Sequence, residues 1–252
     1  MKHIGTGTQK VEEELHALFP GAKVLRMDTD TVGASHGHEK LLRQFEEEKI
    51  PILLGTQMVA KGLDFENVTL VGVLDADLSL YAQNYHAAER TYSLLAQVVG
   101  RAGRGERPGR AVIQTYHPEN EVIQAAAKQD YETFYQNELR MRSLRRYPPF
   151  ADLFTLTVSG LDELRVIAAA RALCDALRYA CSQPPLKDLE VEVLGPAGAP
   201  VVKVNNHYRY CVYLCGKGGS VLRRTVSEYL LAFYARKENR GLDIFADCNA
   251  IQ

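Results

Sequence analysis

Val68-Thr69-Leu70-Val71-Gly72-Val73-Leu74 runs directly into Asp75-Ala76-Asp77, and the reading of this stretch decides the fold. A nearly unbroken apolar run of strand length, with no alternation, is what a parallel strand covered on both faces requires. An acidic pair at its carboxyl end sits where open α/β sheets place their ligands.

The segments on either side alternate helix and strand. Upstream, Thr8 is expected to N-cap a helix with Val11, Leu15, Leu18 and Phe19 at helical spacing, Glu12–Glu14 near its positive end and Pro20-Gly21 after it. Val24–Met27 reads as a short strand, Leu41, Leu42 and Phe45 mark a second helix, and Ile50–Leu54 is a buried strand leading to Gly55-Thr56-Gln57. Downstream, 84–98 reads as an amphipathic helix and Ala111–Thr115 as another strand. This order predicts an α/β fold with a doubly wound parallel sheet.

Residues 119 to about 146 are expected to form one long helix, stopped by Tyr147-Pro148-Pro149-Phe150, because proline restricts both itself and the residue before it. A domain boundary is placed there, giving domains 1–146 and 147–252. The second half reads as strand, helix, two strands, helix, strand. This βαββαβ series is the ferredoxin-like plan of a small α+β domain. Residues 195–207 are expected to be a Gly/Pro-rich loop between the middle strands.

With 252 residues, 46% of them hydrophobic, the chain has material for two modest cores. No apolar run approaches the ~20 residues that cross a bilayer, and no charged-then-apolar leader follows Met1. The expectation is a cytoplasmic protein without a membrane partner. Cys174, Cys181, Cys211, Cys215 and Cys248 include no Cys-x-x-Cys pair. Cys211 and Cys215 share one strand face, as buried thiols do, so neither a zinc site nor a disulfide framework is expected. The formal net charge of −1 hides local basic clusters at 101–110 and at Arg140, Arg142, Arg145 and Arg146.

Two motifs carry chemistry. Gln97-Val98-Val99-Gly100-Arg101-Ala102-Gly103-Arg104 places two guanidinium forks among glycines, a device for gripping phosphoryl oxygens. Gly55-Thr56-Gln57-Met58-Val59-Ala60-Lys61-Gly62-Leu63-Asp64-Phe65 offers a hydroxyl, an amide and a lysine at a strand end, suited to a phosphodiester. The latter alone reads equally as an ordinary strand-to-helix turn.

Together these resemble motifs V and VI of superfamily 2 helicases. Leu54–Gly62, Val68–Asp77, Ala88-Glu89-Arg90-Thr91, Gln97–Arg110 and Tyr147–Phe150 resemble the PriA (primosomal protein N′) family of replication-restart helicases. Val11–Leu15, Gly195-Pro196 and Tyr208-Arg209-Tyr210 extend the likeness over nearly the whole chain.

The resemblance implies a RecA-like helicase lobe 2 followed by the C-terminal domain of a 3′→5′ DNA helicase that acts at stalled forks. It implies that Arg101 and Arg104 are arginine fingers and that Gln97 senses nucleotide. Gly62 and Asp64 would line the lobe interface, and Thr56, Gln57 and Lys61 would contact the DNA backbone. It further implies ATP and Mg2+ for the parent protein, zinc in a module upstream of Met1, and forked and single-stranded DNA, single-stranded DNA-binding protein and other primosome proteins as partners.

The chain departs from a complete helicase. No Gly-x-x-x-x-Gly-Lys-Ser/Thr loop and no Asp-Glu-x-His box is present, and Gly216-Lys217-Gly218-Gly219-Ser220 has the wrong spacing. A fragment that does not hydrolyse ATP or bind a cofactor by itself is expected. Two alternatives stay open: lobe 2 of another superfamily 2 translocase, and a non-catalytic fork-DNA or protein-docking module using Lys203, Arg209, Arg223 and Arg224. His86 and His207 lack a nucleophile or metal partner and read as core or loop residues.

Overall fold

The computed structural model describes residues 7–28, 37–56, 68–82, 84–100 and 109–249. They fall into two compact units: residues up to 82 with 86–135, and Asn84 and Tyr85 with 136–249.

The N-terminal unit contains α1 (Thr8–Leu18), β1 (Val24–Met27), α2 (Gly37–Glu47), β2 (Ile52–Gly55), β3 (Leu70–Val73), α3 (Asp77–Leu80), α4 (Ala87–Val99), β4 (Arg110–Ile113), α5 (Glu121–Lys128) and the start of α6 (Tyr131–Arg145). All described pairing here is parallel, β1 with β2 and β3 with β4. That matches the expected fold class, although among the described residues the strands form two separate ladders. Exposure in β3 alternates, with Leu70 63% exposed, whereas the sequence run predicted burial on both faces. The buried cluster lies on the other side, where Tyr92 and Leu95 of α4 meet Ile123 and Ala126 of α5 and Phe134 of α6.

Two local expectations are corrected. Thr8 is the first helical residue rather than the cap; Gly7 takes the cap position, and the Thr8 hydroxyl donates to Asp28 at 2.6 Å. The span 119–146 holds two helices. Gln129 adopts φ 55°, ψ 31°, ending α5, and Asp130 opens α6 by accepting from the Thr133 amide and hydroxyl. Asx capping at Asp130 competes with helix continuation and wins.

The C-terminal unit contains β5 (Asp152–Gly160), α7 (Glu163–Cys181), β6 (Glu192–Val204), β7 (His207–Gly216), α8 (Gly219–Ala235) and β8 (Asp243–Cys248). Its antiparallel sheet has order β6-β7-β5-β8, the ferredoxin-like arrangement. Asp162 N-caps α7 through the Leu164 and Arg165 amides. Leu156, Val158, Val212 and Leu214 bury one sheet face against Val166, Leu173 and Leu177 of α7 and Leu222 and Val226 of α8.

The expected 195–207 loop is instead mostly strand. β6 continues to Val204 with register shifts after Leu194 and Gly198. Asn205 and Asn206, at φ 49° and 65°, turn the chain, because a tight two-residue hairpin needs left-handed backbone that asparagine tolerates. Glycine and proline here mark bulges on an edge strand.

Candidate nucleotide-facing and nucleic-acid-facing sites

In the N-terminal unit, α4 leads into the arginine motif expected from the sequence. Its buried face carries Tyr92 and Leu95, while Gln97 is exposed and donates to Ser93 Oγ at 2.9 Å. The Tyr92 and Phe134 rings stack with centroids 4.2 Å apart, which ties α4 to α6. Gly100 closes the helix by donating to the Ala96 carbonyl, and Arg101 follows it in sequence. Thr56 is exposed just beyond the carboxyl end of β2. Of the sequence-predicted site residues, Gln97 and Thr56 are therefore placed, both on the surface. Arg101, Arg104, Gly62, Asp64, Gln57 and Lys61 lie outside the described residues.

The acidic pair after β3 has a structural task. Asp75 turns the chain at φ 55°, and buried Asp77 accepts from the Thr115 hydroxyl (3.1 Å) and the Tyr116 amide (2.9 Å). These bonds lock the carboxyl ends of β3 and β4 together. Asp28, at the end of β1, was missed from sequence; it accepts from Thr8 and pairs with Arg26 at 3.0 Å, while Arg26 also reaches Glu12 at 2.8 Å. Its signal was three charged residues converging on one strand end, which only the packing of α1 on β1 reveals. Among the described residues no group of three His, Cys, Asp or Glu side chains is placed to hold a metal ion.

In the C-terminal unit, the basic run at 140–146 divides. Arg142 is buried, bonded to Glu138 (2.8 Å) and the Pro148 carbonyl (3.0 Å), with its guanidinium over the Tyr85 ring. Tyr85 in turn donates to the Asn249 carbonyl. Arg146 pairs with Glu190, and only Arg140 and Arg145 remain on the exposed surface. Arg142 thus belongs to neither a solvated helix face nor a cationic groove.

The β6–β7 hairpin is the stronger candidate for a polyanion. From Val193 to Ser227 no acidic residue occurs, and Lys203, Arg209, Lys217, Arg223 and Arg224 all fall within that span. Lys203 stands over the Tyr208 ring at 4.6 Å and donates to its hydroxyl, which holds the ammonium at the hairpin end. Arg209 spends Nε and Nη2 on the Val201 carbonyl, so its first role is to pin the bulge. Arg223 lies 3.9 Å from Asp152. His207 bonds the Asn205 carbonyl and His86 pairs with Glu89, both local contacts without a nucleophile.

The thiols are quiet. Cys174, Cys211 and Cys215 are buried, and burial pushes the Cys174, Cys181, Cys215 and Cys248 thiols above their usual range. A neutral thiol is a poor nucleophile and metal ligand.

Comparison with known proteins places these features in a family. The helicase conserved C-terminal domain matches residues 5–106, and the primosomal protein N C-terminal domain matches residues 143–249. The chain belongs to the PriA family. It is 42% identical over 249 residues to the replication restart protein PriA of Bacillus subtilis, covering 99% of this chain and 30% of that protein. The Synechocystis protein of the same name is 42% identical over 210 residues, covering 83% of this chain and 24% of the relative. That of Treponema pallidum is 36% identical over 234 residues, covering 93% and 35%. The chain thus spans about a third or less of the length of these relatives. Among the described residues no helix is long and apolar enough to cross a membrane.

Proposed function

We propose that this chain serves as the second motor lobe and the docking domain of an ATP-dependent 3′→5′ DNA helicase that restarts replication at stalled forks. The observation that carries the reading is α4. It is anchored on one face by Tyr92 and Leu95, exposes Gln97 on another, and ends at Val99, two residues before Arg101. In this reading Arg101 and Arg104 reach the phosphates of Mg2+-ATP bound on a different lobe, and Gln97 reports the nucleotide's presence. Gly62 and Asp64 line the lobe interface, while Thr56, Gln57 and Lys61 touch the DNA backbone.

Two guanidinium forks fit the outer phosphate oxygens, where charge develops as the phosphoryl group transfers. They do not replace a Gly-Lys-Ser/Thr cradle, which this sequence lacks. The chain alone therefore hydrolyses no ATP, and the zinc module and phosphate loop belong upstream in the longer protein. The C-terminal unit binds forked or single-stranded DNA, single-stranded DNA-binding protein and other primosome proteins in the bacterial cytoplasm, at the nucleoid. The acid-free stretch around the hairpin supports the polyanion part of that assignment.

The test is DNA-stimulated ATP hydrolysis by the longer protein that carries this chain. Arg101→Ala is expected to lower kcat by about 10³-fold or more. Undiminished turnover in that variant, or hydrolysis by the 252-residue chain alone, refutes the reading. For the C-terminal unit, Lys203→Glu is expected to weaken fork binding and flatten its salt dependence.

A further inference from the structure

The β6–β7 hairpin carries a fixed apolar bulge near its turn. Between the pairs Gly198↔Tyr210 and Lys203↔Tyr208, residues 199–202 of β6 stand opposite the single residue Arg209 of β7. A bulge bends its strand and re-aims the side chains on it. This one is held at three points. Ala199 is buried, and Arg209 donates from Nε (3.2 Å) and Nη2 (2.9 Å) to the Val201 carbonyl. The Val202 side chain lies over Gly198, where a Cβ would come within 3.0 Å of Val202 Cγ2. What the bulge presents to solvent is apolar: Pro200 is exposed, Val201 is 55% exposed and Val202 37%.

Edge strands resist unwanted pairing through proline, bulges and charge. Pro200 and the bulge serve that end, but exposed valines do not. The surrounding stretch is cationic, with Lys203 next in the chain and no acidic residue from Val193 to Ser227. An apolar tip in such a stretch suits a polyanion that also offers an apolar face, as a base pair does. Proteins that bind single strands stack the bases on open aromatic rings. Here the Lys203 ammonium covers the Tyr208 ring at 4.6 Å, and the tip is aliphatic. Proline and aliphatic side chains act instead as wedges against base steps. Within a continuous duplex a wedge must first unstack a step, whereas at a branch the terminal pair already has a face to offer.

We propose that residues 200–202 form a wedge that packs on the terminal base pair of a duplex arm at a DNA branch, with Lys203 on the adjacent phosphate. The wedge rests on the polyanion role proposed for the hairpin, and it narrows the ligand there to a duplex end.

The test uses the longer protein that carries this chain, without nucleotide, and a fork with 2-aminopurine in the first base pair of each duplex arm in turn. On one arm, binding is expected to raise the fluorescence about 2-fold or more, as an aliphatic contact replaces the neighbouring base. Val201→Ser should abolish most of that rise and weaken fork affinity about 5-fold through lost apolar burial. Its salt dependence should keep the wild-type slope, unlike that of Lys203→Glu, because no charge changes. Affinity for a continuous duplex should stay within about 2-fold, since no terminal pair is present. Val201→Leu keeps an apolar tip and should keep the rise. Thermal unfolding of both variants should match the wild type.

Absence of a rise on either arm, or a rise that Val201→Ser leaves intact, overturns the wedge. So does a Val201→Ser variant that loses an acidic peptide while still reporting on the fork, because the tip is then a protein-docking surface. If Lys203→Glu leaves fork affinity and salt slope unchanged, the polyanion role fails by itself. The fluorescence of Val201→Ser then decides the wedge.

Discussion

In the C-terminal unit, β5 and β7 bury Leu156, Val158, Val212 and Leu214 beneath α7 and α8. In the N-terminal unit, β3 and β4 leave Leu70 and Val112 more than half exposed, and the buried cluster is built instead by α4, α5 and α6. The first is an antiparallel sheet closed by its own helices, with buried core residues from β5, β7 and β8 and Val193 of β6 packed against them. The second holds α4 through Tyr92 and Leu95, which meet Ile123, Ala126 and Phe134, and places Thr56 and Gln97 at the ends of β2 and α4. The difference separates two tasks. Among the described residues the larger buried cluster lies in the unit to which little chemistry is assigned, and Gln97 and Thr56 belong to the unit with the smaller one.

The largest expected effect tests whether the C-terminal unit depends on that single core. Leu214→Ala removes a fully buried side chain from β7 and should cost about 2–5 kcal/mol. Urea unfolding followed by circular dichroism and by amide exchange should show the loss in 152–248 and leave α4 and α5 protected. Equal loss of protection in α4 would mean that the two cores unfold together, and the contrast would fail.

Arg142 tests the polar side of the same unit. Replacing it with methionine strands Glu138, the Pro148 carbonyl and the face of Tyr85, at a cost of about 3 kcal/mol for a largely buried pair. Denaturant midpoints for Arg142→Met and for the double variant Arg142→Met/Glu138→Met separate these parts. The double variant should recover part of the loss, because no carboxylate is then left without its partner.

The legibility of the sequence follows the same contrast. The ferredoxin-like order was readable because each strand and helix of 152–248 carries its own period and because the antiparallel connections are short. The length of β6 was not readable. Pro196, Pro200, Gly195 and Gly198 look like loop until bulges on an edge strand absorb them. In the N-terminal unit the parallel pairing was readable from the apolar run at 68–74, but its exposure was not, because a continuous apolar run does not say which face a helix will cover. The α5–α6 break hid for a different reason. Gln129-Asp130 is neither glycine nor proline, and its signal was the Asp130-to-Thr133 spacing of an N-cap. Of the site residues named from motif spacing, Gln97 and Thr56 fall on the described surface. Asp28 and Tyr85 bond to partners distant in sequence, which spacing along the chain does not encode.

The smaller core can be probed with less disruptive changes. Phe134→Leu keeps an apolar side chain but removes the stack on Tyr92, and should cost about 1 kcal/mol. If α4 relies on this contact, amide exchange in 92–99 should rise while the C-terminal sheet is unaffected. A shift spread over both units would erase the distinction between their cores.

The smallest effect concerns the start of α6, where Asp130 caps the helix. Its hydrogen bonds to the Thr133 hydroxyl and amide hold the carboxyl below the usual carboxylate range. A carboxyl depressed in the folded state contributes stability above its unfolded pKa, and that contribution disappears as pH falls through the folded value. Fraying at Tyr131–Thr133 should therefore grow on acidification below about pH 4. Asp130→Asn keeps an acceptor for the Thr133 amide without a titrating group, so in that variant exchange at Thr133, corrected for intrinsic rates, should lose this pH dependence. Should the dependence persist, the α6 start is governed by another group, and the cap is not what separates α5 from α6.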